Sequence, residues 1–267
     1  MKLKLCDAKS LDIVKTFECG QCFRWNSDDR GVYTGVVGRY LAEVETIDGE
    51  VYITSDAPAE MWADYFDLAT DYAAVSTDFT GEYLHECIDY GMGIRILRQD
   101  SWEALCSFII SQCNNITRIK GIVERLCEQF GDKCEANGVS YYTFPSAERL
   151  AALEPSDLAG IRSGYRAEYI IAAARAVKTG ELDLDALKTC DYREAIKTLR
   201  QIRGVGEKVA NCVVLFGLYH MEAFPIDVWM TRALKEHFPA DFDPTSLGAY
   251  AGLAQQYIFY YARSGGK

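Results

Sequence analysis

No run of about eighteen successive apolar residues occurs in the 267-residue chain, so no membrane-spanning helix is expected. The opening residues, MKLKLCDAKSLD, lack both a long apolar segment and a small-residue cleavage site, so no secretory signal is expected and the expected location is the cytoplasm. Histidine is scarce, with only His85, His220 and His237, and these are dispersed. Cys19 and Cys22 form a lone CxxC with no second pair and no histidine nearby, so the ligand pattern of a structural zinc is missing. The ten cysteines are irregularly spaced and read as reduced, buried thiols. Lysine is absent between residues 26 and 90, where 15 Asp and Glu stand against two Arg. That stretch alone is more acidic than the whole chain at −11, so the remainder carries a slight positive excess. The acidic balance therefore leaves room for a local basic face and an anionic partner.

What is present divides into two parts. The stretches VYTGVV, YLAEVETI and EVYITS are strand-like and are separated by Gly38-Arg39 and Asp48-Gly49, the second a strong hairpin signal. A helix follows around AEMWADYFDLA. From about residue 95 the apolar spacing becomes helical in WEALCSFIISQC, ITRIKGIVERLCEQF and the segments after them. Gly131, Gly180 and Gly217 sit where helices should end. The expected fold class is α+β: a small N-terminal antiparallel β-sheet domain, residues 1–94, ahead of an all-helical domain, residues 95–267.

One hairpin stands out. DYREAIKTLRQI-RGVG-EKVANCVVLFGLY reads as two helices joined by the turn Gly204-Val205-Gly206. Its glycines bring backbone N–H groups close to whatever lies outside, at the positive end of the second helix, which suits a phosphate. An ordinary αα-hairpin with a sharp glycine turn has the same pattern. Lys208 follows at once. Burial among apolar neighbours and the helix dipole both disfavour its ammonium form, and a neutral amine is a nucleophile that can form a Schiff base. The bland alternative is a solvated lysine beside Glu207. Asp227 opens a later amphipathic helix in AFPIDVWMTRALKEHF, so its plainest task is N-cap, though a capping carboxylate can also face a cleft.

The hairpin, its lysine and the later Pro225-Ile226-Asp227 together resemble the helix-hairpin-helix DNA glycosylases. Three longer blocks narrow the resemblance to the 8-oxoguanine DNA glycosylase/AP lyase family: CGQCFRW at 19–25, GIRILRQDSWEALCSFIISQCNNITRI at 93–119 and YAGLAQQYIF at 250–259. The resemblance runs from about residue 15 to the C-terminus. No cysteine follows Cys212, so the C-terminal iron–sulfur motif of the endonuclease III branch is excluded, and the alkyladenine branch lacks the catalytic lysine.

The resemblance implies a bifunctional base-excision enzyme, needing no metal or organic cofactor. It would remove 8-oxoguanine, and formamidopyrimidine-guanine, opposite cytosine from double-stranded DNA, acting as a monomer with no membrane partner, on the nucleoid if the cell is bacterial. Lys208 would be the Schiff-base nucleophile and Asp227 its catalytic partner. The carbonyl of Gly20 would accept from the N7–H that 8-oxoguanine has and guanine lacks, a discrimination by repulsive contact. Cys212, one turn beyond Lys208, would sandwich the extruded base with Phe259, while Gln255 bonds its Watson–Crick edge. Tyr165 would fill the vacated stack, and Arg118 and Arg166 would read the estranged cytosine. Asn115 and the turn Gly204, Val205 and Gly206 would contact DNA. Trp229 stands where the family usually has histidine, and Cys113 where it often has asparagine. A glycosylase of this fold acting on another oxidised base, and a non-catalytic DNA-binding module, are the alternatives that a trapping assay separates.

Overall fold

Every second side chain of Glu50–Ser55 is buried, which is what a strand with one face on a core requires. In the computed structural model, which describes residues 1–136 and 138–264, this segment is β5 of a five-stranded antiparallel sheet. Its other members are β1 (Lys2–Asp7), β2 (Trp25–Ser27), β3 (Tyr33–Val37) and β4 (Tyr40–Ile47), in the spatial order β1-β5-β4-β3-β2. The expected meander β3-β4-β5 is present, and its Asp48-Gly49 turn has φ of 51° and 79°, as a two-residue hairpin loop demands. The sequence expectation omitted β1 and β2, which extend the sheet at its two edges.

Helix α1 (Ile13–Glu18) and helix α2 (Ala59–Tyr65) cover this sheet. Phe17 stacks on Trp25 with ring centroids 4.4 Å apart, and Trp62 and Phe66 complete an aromatic core with no exposed surface. Each such side chain contributes on the order of 1.5–3 kcal/mol by leaving water.

The second core is helical. It gathers α3 (Tyr72–Ser76), α4 (Glu82–Gly91), α5 (Ser101–Ser111), α6 (Ile116–Phe130), α7 (Ala147–Ala151), α8 (Arg166–Thr179), α9 (Leu184–Leu187), α10 (Tyr192–Leu199), α11 (Glu207–Phe216), α12 (Val228–His237) and α13 (Ala251–Ser264). Gly131, Gly180 and Gly217 cap α6, α8 and α11, as expected. One antiparallel pair, β6 (Lys133–Ala136) with β7 (Val139–Tyr142), interrupts the helices. The sequence between these two strands reads Asn-Gly, a hairpin signal the helical reading passed over.

The two cores interlock rather than abut. Cys19, Phe23, α3 and α4 pack into the helical core although they belong to the N-terminal stretch. Asp67, 2 % exposed, accepts hydrogen bonds from Tyr72, Thr70 and Arg98 and from Tyr219, just beyond α11. Buried Arg95 donates to the carbonyls of Phe66, Asp67, Thr70 and Ser10. The segment after the sheet is thereby tied to the end of the helix that carries Lys208.

Candidate active site

Helix α10 and helix α11 flank the turn at 203–206 as the sequence implies. Gly206 is the N-cap of α11 and offers no side chain, so the first N–H groups of the helix point outward unpaired by a cap. Arg200–Glu207 and Arg203–Glu168 ion pairs, at 2.7 and 2.6 Å, hold the turn from both sides at the surface. Lys208 is half-buried in the first turn of α11, with Nζ 5.5 Å from the centroid of the Phe108 ring. Phe108 in turn stacks on Phe216 and meets the edge of Phe23, a residue of the CGQCFRW block. One aromatic wall therefore runs from the lysine to the segment of Gly20.

Cys212 and Asp227 share this neighbourhood. Burial pushes the Cys212 thiol above its ordinary pKa; Lys208 opposes that by charge and by hydrogen bonding, and Asp227 adds to the rise. Asp227 is the N-cap of α12, its Oδ1 accepting from the N–H groups of Trp229 and Met230 at 2.9 Å each. Among the described residues its Oδ2 makes no hydrogen bond, so capping leaves one carboxylate oxygen uncommitted.

Across the site, Gly20 has φ of +80°, a conformation that L side chains rarely adopt. A Cβ there would stand 3.5 Å from Cε1 of Phe259 and 3.7 Å from Nη1 of Arg263. Gly20 and Phe259 are thus neighbours, as the resemblance implied. Gln255, one turn before Phe259 on α13, is 4 % exposed, and among the described residues its Oε1 has no partner. A buried unsatisfied amide oxygen is costly unless a ligand completes it.

The residues assigned to the opposite strand lie around the start of α8. Tyr165 is 51 % exposed, packs edge-on to Tyr169 and lies over the guanidinium of Arg166 at 4.6 Å. Arg166 itself is buried: its Nε and Nη2 donate to Gln112, Nη2 also to Cys113, and Nη1 to Ser163, all backbone carbonyls. One of its five N–H groups remains unspent. Arg118 is exposed, and among the described residues its side chain makes no hydrogen bond. Asn115 caps α6 by accepting from the Arg118 N–H at 2.9 Å, which fixes where that arginine emerges. Trp229 is 37 % exposed; its ring lies beside Arg232 and lines a cleft shared with Tyr83, Glu86 and His237, a cleft in which neither Lys208 nor Phe259 takes part.

Four residues that matter here escaped the sequence reading. Gln112 bonds the Gly204 carbonyl at 3.0 Å while its own carbonyl receives Arg166, joining the hairpin to the α8 start. Tyr169 lies flat against Gly204. Gln256 and Arg263 of α13 reach the segment of Gly20. Gln112 and Gln256 stood inside quoted blocks, yet nothing in their spacing marks a partner so remote.

A family model described as "HhH-GPD superfamily base excision DNA repair protein" matches residues 106–252, more than half of the chain. The chain belongs to this superfamily. A second model, for the N-terminal domain of 8-oxoguanine DNA glycosylase, matches residues 4–105 and sets the branch. The chain is 28 % identical to Arabidopsis thaliana N-glycosylase/DNA lyase OGG1, over 93 % of this chain and 76 % of that one. It is 33 % identical to a Bacillus subtilis DNA-3-methyladenine glycosylase, over 74 % and 71 %. Among solved structures, the Clostridium acetobutylicum 8-oxoguanine glycosylase/lyase in complex with double-stranded DNA containing cytosine opposite 8-oxoguanine superposes with a TM-score of 0.90. The identity there is 34 %, covering 100 % of this chain and 99 % of that one. In class the protein is a DNA glycosylase/lyase.

Proposed function

We propose that this glycosylase/lyase excises 8-oxoguanine, and formamidopyrimidine-guanine, opposite cytosine in duplex DNA as a monomer, with Lys208 as the nucleophile. The observation that carries this is the convergence of Lys208, Cys212 and Asp227 beside one aromatic wall that leads to Gly20. The N–H groups of Gly204 and Gly206 and those that open α11 hold a backbone phosphate, while that of Val205 is bonded to the Ile202 carbonyl at 3.0 Å. The extruded base lies between Cys212 and Phe259, with its N7–H on the Gly20 carbonyl and its Watson–Crick edge on the open Gln255 amide. Tyr165 takes the vacated place in the stack. Arg118, with the last free N–H of Arg166, meets the cytosine acceptors, and Trp229 packs against the flanking backbone.

The amine of Lys208 attacks C1′. The C1′–N9 bond breaks with its electron pair leaving on the base, which takes up a proton, and Asp227 stabilises the cationic sugar. The C1′–O4′ bond then breaks with its electron pair on O4′, the two amine protons passing to the base and to O4′, and the resulting Schiff base, once protonated, acidifies the C2′ proton, whose removal expels the 3′ phosphate and nicks the strand. Borohydride should trap a covalent adduct between the wild-type chain and an 8-oxoguanine:cytosine duplex, and none with Lys208→Gln. An adduct that persists in the variant removes the assignment of nucleophile. The likeness to the Bacillus subtilis DNA-3-methyladenine glycosylase favours a second reading, removal of an alkylated purine. Base release across 8-oxoguanine, 3-methyladenine and an oxidised pyrimidine decides between them.

A further inference from the structure

The stretch Glu18–Gln21 presents four consecutive backbone carbonyls, and the surrounding side chains hold three of them. Arg263 donates through Nη2 to the Glu18 carbonyl. Gln256 donates through Nε2 to the Cys19 carbonyl at 2.7 Å. Gln99 donates to the Gln21 carbonyl at 2.8 Å and to the carbonyl of Phe216, the last residue of α11, at 3.4 Å. Among the described residues, no hydrogen bond reaches the carbonyl of Gly20. The chain here is leaving α1, whose last carbonyls have no helical partners and need outside donors. Gln256, Phe259 and Arg263 recur at spacings of three and four, so all three lie on one face of α13. Phe259 stands between the two donors, with the Arg263 guanidinium 5.6 Å from its ring centroid. Among the described residues Nη1 of Arg263 is buried without a partner, and a Cβ on Gly20 would stand 3.7 Å from it.

We propose that Gln256 and Arg263 are positioning residues that hold the carbonyls before Gly20, so that the Gly20 carbonyl alone stays turned toward the extruded base. They set the discrimination between 8-oxoguanine and guanine without touching either base. This rests on the assignment of Gly20 to the purine pocket. A donor removed at one of these positions lets the peptide plane rotate. The Gly20 oxygen then loses its aim while the Lys208 side of the site is undisturbed.

The test uses Gln256→Met and Arg263→Met, which keep side-chain volume and remove the donors, and Arg263→Lys, which restores one donor. Single-turnover excision of 8-oxoguanine is compared with strand cleavage at a preformed abasic site, which has no base to recognise. Each methionine variant should excise 8-oxoguanine about tenfold more slowly, the scale of one lost hydrogen bond to a buried group. Its preference for binding 8-oxoguanine:cytosine over guanine:cytosine duplexes should narrow by a similar factor. Abasic-site cleavage should stay within about twofold of wild type, and Arg263→Lys should recover part of the loss. Should Gln256→Met fail to fold, as its circular dichroism would show, the two Arg263 variants at the far end of the helix carry the comparison alone. Wild-type excision and preference in folded methionine variants, or an equal fall in both activities, overturns the clamp. A wild-type chain that cleaves abasic sites yet leaves 8-oxoguanine in place refutes the purine assignment itself.

Discussion

Replacing Gly204 by alanine brings two independent penalties. The residue has φ of +85°, and a Cβ on it would stand 2.1 Å from Cγ of Tyr169 and 2.3 and 2.6 Å from the adjoining ring carbons. An L residue in the left-handed region costs about 1–2 kcal/mol. Forcing the Tyr169 ring aside is an overpacking term of about 1–3 kcal/mol. The sum, roughly 2–5 kcal/mol, is a large share of the 5–15 kcal/mol by which a typical domain is stable. The ring cannot move alone, because Tyr169 packs against Tyr165, which lies over Arg166. Equilibrium urea unfolding measures the cost. Binding to an abasic-site duplex measures how far the disturbance reaches.

Two companions separate the terms. Gly206→Ala is the control, since Gly206 has φ of −88° and nothing within 4 Å of its Cβ position. It should cost less than about 1 kcal/mol, most of that as a poorer N-cap. In a Tyr169→Ala background, Gly204→Ala should retain only the backbone term of about 1–2 kcal/mol. Equal costs for Gly204→Ala in both backgrounds, or a cost below about 1 kcal/mol in the wild type, would show that the collision does not govern this turn.

Asp227 has two tasks that substitution can part. Asn is as good an N-cap as Asp, so Asp227→Asn should keep wild-type stability, while Asp227→Ala should lose about 1 kcal/mol in thermal or urea unfolding. Both should lower base excision at least a hundredfold, the scale of a lost charge-stabilising group at a reacting centre; excision unchanged in Asp227→Asn reduces the carboxylate to a cap. The thiols give a test of burial. Cys113 is exposed whereas Cys19, Cys22, Cys87, Cys106, Cys127 and Cys212 are buried, so a maleimide at neutral pH should modify Cys113 far faster than any of those six. Burial pushes Cys19 up to about 11 and Cys87 and Cys127 up to about 12. The folded chain therefore holds these protons above the pH near 9 at which the unfolded thiols release them, and stability should fall as pH rises from there. Denaturation midpoints that do not move between pH 8 and 11 contradict that sign.

Local signals were legible and remote partners were not. Asp48-Gly49, the apolar spacing of α6 and the capping glycines act within a few residues, so the sequence displays them directly. β1 pairs with β5, more than forty residues on, through a register shift between Lys4 and Cys6, and although Lys2–Leu5 alternates, nothing in KLKLCD names so distant a partner. At the site, Lys208 and Asp227 could be picked out because each sits at a helix start with a recognisable task. Gln256 and Arg263 could not, since their partners are 237 and 245 residues away and are carbonyls, which every residue carries. Arg166 looked like a free hand for a base, yet the fold commits most of its donors to Gln112, Cys113 and Ser163.

On the proposed function the two chemistries stand on separate pieces, and the interlock of the cores is what would join them. The amine rides on α11, while the carbonyl that would judge the base follows the end of α1, beside Phe259 and Arg263 of α13. Neither piece fixes the other by chain connectivity. Side chains that cross between them do so instead: half-buried Gln99 from the Gln21 carbonyl to the last carbonyl of α11, and buried Asp67 to Tyr219 beyond it. The Gln21 side chain adds bonds to Thr16, Arg95 and Leu97 within the same junction. Polar groups buried at this depth stabilise only when all are satisfied together, so the junction tolerates one arrangement and rejects sliding. A pocket assembled from two cores can then hold a hydrogen-bond acceptor and a nucleophile in fixed relation to one extruded nucleotide. That fixed relation is what a decision resting on a single proton requires.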